Sequence, residues 1–163
     1  MKHVDFNTVA TSAISALVPQ LKTVYLPALD LDLTNATEEE AIASLLSQGR
    51  RRAFFMNAHC CNIRRQDKDY ANAVAAADML LPDGIGVELA GRMTGHKLTA
   101  NLNGTDLVPA LLAKAAQKGK SVYLFGGAPG TAAAAASTAA GQHASAASTR
   151  AVAARPHTRL FAS

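Results

Sequence analysis

Residues 79–86, Met79-Leu80-Leu81-Pro82-Asp83-Gly84-Ile85-Gly86, read as a short buried strand that runs into a hard turn. Three consecutive apolar residues suit a strand covered on both faces. Pro82 has no N–H to give a ladder and Gly84 permits positive φ, so the strand stops at this point. A second run of the same kind lies upstream, where Ala53-Phe54-Phe55-Met56 ends at the polar Asn57. Between the two, the sequence predicts helical stretches over about 59–66 and 70–77. Two buried strands separated by helices are the pattern of parallel strands joined by a crossover.

Working outward, Ile85 to Met93 reads as a helix, and so does the stretch from Thr105 to Lys118. In the latter, Val108, Leu111, Leu112 and Ala115 recur at helical spacing and Pro109 is placed in the first turn. Ser121 to Phe125 is the next strand, followed by Gly126-Gly127-Ala128-Pro129-Gly130 and an Ala-rich helix. Upstream, Leu29, Leu31 and Leu33 alternate with Asp30 and Asp32 as in a strand. Thr37-Glu38-Glu39-Glu40 then forms a capping box ahead of Ile42, Leu45 and Leu46. The predicted fold class is α/β, a Rossmann-like parallel sheet flanked by helices. The predicted organisation is a lead-in over 1–28, a core over 29–141 and an atypical tail over 142–163.

The 163 residues amount to about one domain, and 49% hydrophobic against 17% charged is a folding composition. Aromatics make up 5% and there is no Trp, which disfavours surfaces that stack nucleobases or sugars on indole rings. The net charge of +4 is unevenly spread. After Asp106 come Lys114, Lys118, Lys120, Arg150, Arg155 and Arg159 and no acidic residue. Beyond Gly141 there is no strand-length β-branched run, so the basic, Ala-rich tail fits either a flexible extension or an out-of-frame translation of a GC-rich gene. The adjacent Cys60 and Cys61 offer no structural staple. No apolar run approaches the roughly 18 to 20 residues of a membrane helix.

Ligands of open α/β sheets bind beyond the carboxyl ends of the strands. Asn57, Asp83-Gly84 and Gly126 to Gly130 are all expected there, on one cleft. Asp83, between Pro82 and Gly84, suits a general base on a hydroxyl, or else caps the next helix. Asn57 suits a donor to sugar or phosphate, or bonds its own turn. Gly126 and Gly127 let backbone approach a diphosphate at a helix start, or form an ordinary strand-to-helix turn; the loop matches neither a P-loop nor GxGxxG. Asn101, Asn103 and Gly104 precede a helix start, where the amides suit a ligand; the alternative is capping by Thr105 or Asp106. Arg50 to Arg52 and Arg64-Arg65 read as solvated faces. His59, Cys60 and Cys61 are consecutive and cannot all converge on one ion, so no metal site is expected.

Four motifs in order resemble the WecG/TagA/CpsF glycosyltransferases over about residues 29–141. They are Asn57-Ala58 at a strand end, Ala76-Ala77-Asp78-Met79-Leu80-Leu81-Pro82-Asp83-Gly84-Ile85-Gly86-Val87, Asn103-Gly104-Thr105-Asp106-Leu107, and Val122-Tyr123-Leu124-Phe125-Gly126-Gly127-Ala128-Pro129-Gly130. The resemblance implies a Rossmann-like fold and inverting transfer from a UDP-sugar donor to a polyprenyl-diphosphate-linked sugar acceptor. It also implies no cofactor or required metal, with Asp83 as the catalytic base; the low aromatic content already leaves no nucleic-acid partner expected. By the same resemblance the protein is cytoplasmic, with peripheral contact at the inner membrane face and a homo-oligomer as an option.

Two departures from the family pattern, Phe55 where Thr is usual and Asn101 where Arg is common, resemble the xanthan-type GumM branch. They favour glucose as the donor sugar and exopolysaccharide synthesis as the setting. Transfer of N-acetylmannosamine or its uronic acid is the alternative within the family. The family's later strand and basic appendage have no counterpart after Gly141, so little turnover is expected of this chain as it stands. A non-catalytic nucleotide-binding module and a Rossmann oxidoreductase are the competing classes; the latter lacks its GxGxxG turn.

Overall fold

The computed structural model describes residues 21–125, 127–142 and 149–152. Residues 1–20 of the predicted lead-in, Gly126 and most of the predicted tail lie outside the described residues. The chain divides between Leu107 and Val108 into two compact units.

The first unit opens with β1 (Thr23–Leu26) and β2 (Leu31–Thr34), which pair antiparallel with Leu26 opposite Leu31. Sequence reading began the strand near Leu29. Instead Leu29 and Asp30 belong to the turn, where Leu29 N–H donates to Leu26 C=O at 3.0 Å and Asp30 takes a φ of 51°. Helix α1 (Glu38–Leu45) begins at the predicted capping box: Thr37 Oγ1 accepts from Glu40 N–H at 3.2 Å and Glu40 Oε2 from Thr37 N–H at 2.8 Å. Reciprocal satisfaction of two helix-end donors explains why α1 starts there.

Then come β3 (Ala53–Met56), α2 (Ala58–Gln66), α3 (Lys68–Ala75), β4 (Met79–Pro82) and α4 (Ile85–Met93). As predicted, β3 and β4 are parallel, with Phe55 opposite Leu81 and Met56 opposite Pro82. Leu26, Leu31, Leu33, Met56, Cys61, Val74 and Val87 form the core of this unit. Leu26, Leu33 and Met56 have no exposed surface, and burial of each such side chain contributes about 1.5–3 kcal/mol.

Helix α5 (Gly104–Gln117) spans the division, and Pro109 falls in its interior rather than its first turn. The second unit continues with β5 (Val122–Phe125), α6 (Thr131–Gln142) and β6 (Thr149–Val152). Strands β5 and β6 pair in parallel. Thus β6 forms inside a region where composition suggests no strand, because ladder pairing with β5 outweighs the weak propensity of its Arg-Ala centre.

The fold is therefore mixed α/β with alternating helices and strands. One continuous parallel sheet is not what the described residues form: there are three two-stranded sheets, one of them antiparallel. Pairing of β1 with β2 through a four-residue turn closes a local hairpin, its first strand lying in the stretch read as lead-in. Among the described residues, no helix is long and apolar enough to cross a membrane.

Candidate functional site

Because β3 and β4 are parallel and in register at Met56 and Pro82, Asn57 and Asp83 leave the sheet side by side at its carboxyl end. Asp83 N–H extends the ladder by donating to Met56 C=O at 3.0 Å. Each strand end feeds a helix, α2 after Asn57 and α4 after Gly84. A Cβ on Gly86 would lie 3.1 Å from Ala58 Cβ, so the first turns of these helices approach as closely as a glycine allows. Two helix N-termini thus sit together beside Asp83, and their partial positive charge favours an anion.

Asp83 is half-buried, and among the described residues its carboxylate has no hydrogen-bond partner. The capping alternative is not realised, because the N-cap of α4 is Gly84 and the Asp83 carboxylate bonds none of the first amides of that helix. The Ile85 and Gly86 amides, first in α4, have no helical acceptor and none elsewhere among the described residues. An unpartnered carboxylate beside free amide donors can take a proton from a hydroxyl while the amides hold negative charge.

Asn57 does cap its own helix, its Oδ1 accepting from Cys60 N–H at 2.9 Å. That bond uses the oxygen, and Nδ2 has no partner among the described residues. Asn101 is exposed, and its Oδ1 accepts from Gly84 N–H at 2.9 Å. Leu102, 2% exposed, donates its N–H to Pro82 C=O at 2.9 Å. Asn103 is the cap at the start of α5, in place of Thr105 or Asp106. Its Oδ1 accepts from Asp106 N–H at 3.0 Å while Nδ2 donates to the Asp106 carboxylate at 2.7 Å. Gly104 lies over Phe55, with ring carbons 3.6 Å from where its Cβ would stand.

These residues all belong to the first unit. Gly127, in the second, lies exposed in the turn before α6, where Thr131 N–H donates to Ala128 C=O at 3.0 Å; Gly126 lies outside the described residues. A cavity of about 320 Å³ is lined by Pro82, Gly84, Glu88, Lys97, Leu98, Thr99, Ala100 and Asn101, and Asp83 is not on its wall.

His59 is exposed, Cys60 half-buried and Cys61 buried. Burial pushes the Cys61 thiol up, and the Cys60 sulfur beside it pushes the Tyr70 hydroxyl up to about 12. These cysteines pack the core. Among the described residues, no group of three His, Cys, Asp or Glu side chains could hold a metal ion.

Sequence reading missed the arginines. Arg64 pairs with Asp30 at 3.4 Å and Arg65 donates to Ala28 C=O at 2.8 Å, so both clamp the β1–β2 turn. Arg51 donates from Nε to Ser44 C=O at 3.0 Å, at the end of α1. The available signal was Arg64-Arg65 in the last turn of a helix opposite a turn rich in open carbonyls.

Fold and site define a class: a mixed α/β protein with a free strand-end carboxylate set against helix N-termini suited to phosphate. Residues 26–156 match the Glycosyl transferase WecG/TagA/CpsF family, so the chain belongs to that family. Two relatives are N-acetylglucosaminyldiphosphoundecaprenol N-acetyl-beta-D-mannosaminyltransferases. The one from Bacillus subtilis (strain 168) is 36% identical over 61 residues, 37% of this chain and 24% of the relative. The one from Bacillus spizizenii is 41% identical over 63 residues, 39% of this chain and 24% of the relative. The matched stretch thus spans about a quarter of the length of these relatives. The family match continues past Gly141 to residue 156 and takes in β6.

Proposed function

We propose that this chain carries the base-bearing part of a glycosyltransferase that moves N-acetylmannosamine from a UDP-sugar to a polyprenyl-diphosphate-linked N-acetylglucosamine. The acceptor hydroxyl attacks the anomeric carbon from the face opposite the diphosphate, and Asp83 takes its proton. The bond to UDP breaks with inversion, and the departing diphosphate is met by the Ile85 and Gly86 amides and by Asn57 Nδ2. The observation that carries this reading is the family match over a chain whose Asp83 carboxylate stands unpartnered at the strand end.

Glucose, the donor favoured by sequence reading, gives way to N-acetylmannosamine because both relatives transfer the latter. The two departures that favoured glucose have local accounts, since Phe55 packs beneath Gly104 and Asn101 holds the Gly84 amide. Neither contact selects a sugar.

The test supplies UDP-N-acetylmannosamine and UDP-glucose separately, each with lipid-linked N-acetylglucosamine or lipid-linked glucose. It uses both the chain itself and a form extended by the C-terminal segment of the Bacillus subtilis relative. Transfer of N-acetylmannosamine to lipid-linked N-acetylglucosamine is expected. Transfer of glucose alone would restore the glucosyltransferase reading, and binding of NAD without UDP would overturn both.

A further inference from the structure

Asn101 has a residue type that suggests direct contact with substrate, but its side chain is already engaged. Gly84 N–H needs an acceptor, and the carbonyl end of Asn101 supplies it at 2.9 Å, which directs Nδ2 away from that bond. This bond is one of three around Asp83. The Pro82 carbonyl on one side accepts from Leu102 N–H at 2.9 Å, and the Asp83 amide donates to Met56 C=O at 3.0 Å. On the other side the Gly84 amide is held by Asn101. Leu102 is buried and anchors the loop, so Asn101 arrives at Gly84 from a fixed position.

Gly84 needs that hold. Its φ of 89° and ψ of 166° put it in a region that glycine enters freely, and an untethered glycine peptide there rotates easily. Rotation would carry both the Asp83 carboxylate and the Ile85 amide off line.

Resting on the transferase reading above, we infer that Asn101 is a positioning residue: it accepts the Gly84 amide and so fixes the Asp83–Gly84 turn, and with it the aim of the base. A misplacement of about 1 Å at a reacting group can cost on the order of 10² in rate, so a partial loosening by one bond is expected to cost about tenfold.

Asn101→Leu removes acceptor and donor at similar size, whereas Asn101→Asp keeps the acceptor and removes the donor. By NMR amide exchange on the chain, Gly84 N–H is expected to exchange about five- to tenfold faster in Asn101→Leu and to be largely restored in Asn101→Asp. In the transfer assay, Asn101→Leu is expected to lower kcat about tenfold with KM for both substrates within about twofold. Asn101→Asp should recover most of that loss. Unchanged Gly84 exchange in Asn101→Leu would overturn the inference. So would a rise in KM without loss of kcat, or equal impairment by Leu and Asp, since these mark a donor to substrate. Absence of transfer by the wild-type protein would count against the functional reading, and the exchange measurement would still decide whether Asn101 holds the turn.

Discussion

Replacing Gly84 by Ala isolates the backbone strain at the turn that presents Asp83. A Cβ added there would meet nothing within 4 Å, so neither clash nor new packing contributes. What remains is conformation: at φ 89° and ψ 166° a residue with a Cβ costs about 1–3 kcal/mol. Loss of glycine freedom in the unfolded chain offsets about 0.4–1 kcal/mol of this. The net destabilisation is about 0–2.6 kcal/mol, or a fall in Tm of up to roughly 10 °C for a chain of this size. The chain can escape the strain by turning the Gly84 amide away from Asn101, which forfeits a hydrogen bond of about 1 kcal/mol. A double-mutant cycle of Gly84→Ala with Asn101→Ala, followed by urea denaturation, is then expected to show a coupling of about 0.5–1.5 kcal/mol. A Tm unchanged within about 0.5 °C, with strictly additive effects, would refute the argument that the turn depends on glycine.

Leu33→Ala, at a site with no exposed surface, should cost about 2–5 kcal/mol by denaturation; a loss below about 1 kcal/mol would mean that the core is not packed around it. Ile85, Leu89 and Met93, at 72%, 53% and 78% exposure, form one open face of α4. Met93→Lys should therefore leave stability within about 0.5 kcal/mol while reducing self-association in sedimentation; a larger loss would mean that the face is covered. The Tyr25 hydroxyl, then Arg64, hold the Asp30 carboxyl below its ordinary value. Their contribution is present above the ordinary carboxylate range and is lost as pH falls through the lowered value. Tyr25→Phe should thus destabilise near pH 7 and progressively less as the pH falls through the lowered carboxyl value, and an effect undiminished in acid would contradict the pairing.

Much of the first unit could be read from residue order because its signals are local. The Thr37 capping box, the apolar runs of β3 and β4 and the Pro82-Asp83-Gly84 stop each depend on a few neighbouring residues, and the helix over Ile85–Met93 was placed to the residue. Strands β1 and β6 were not legible. Four-residue strands such as Thr149-Arg150-Ala151-Val152 carry little propensity of their own and exist through pairing with a partner distant in sequence. The site divides in the same way. That a carboxylate ends a strand at Asp83 is local information, and so is the glycine after it. That Asn101 reaches back to Gly84, or that Asn103 rather than Thr105 caps α5, depends on where a loop lies in space.

The most direct measurement compares Asp83→Asn with wild type for transfer from UDP-N-acetylmannosamine to lipid-linked N-acetylglucosamine, with UDP affinity determined on the same preparations. Asn fits the same turn, because the bonds that hold it run through the Met56, Pro82 and Gly84 backbone and the Leu102 amide and Asn101 side chain, none of them to the Asp83 carboxylate. Turnover is expected to fall by roughly 10² to 10⁴, the scale of losing a positioned base, with UDP affinity near wild type. Equal loss of binding and turnover, or turnover unchanged, would contradict the assignment of Asp83 as the base.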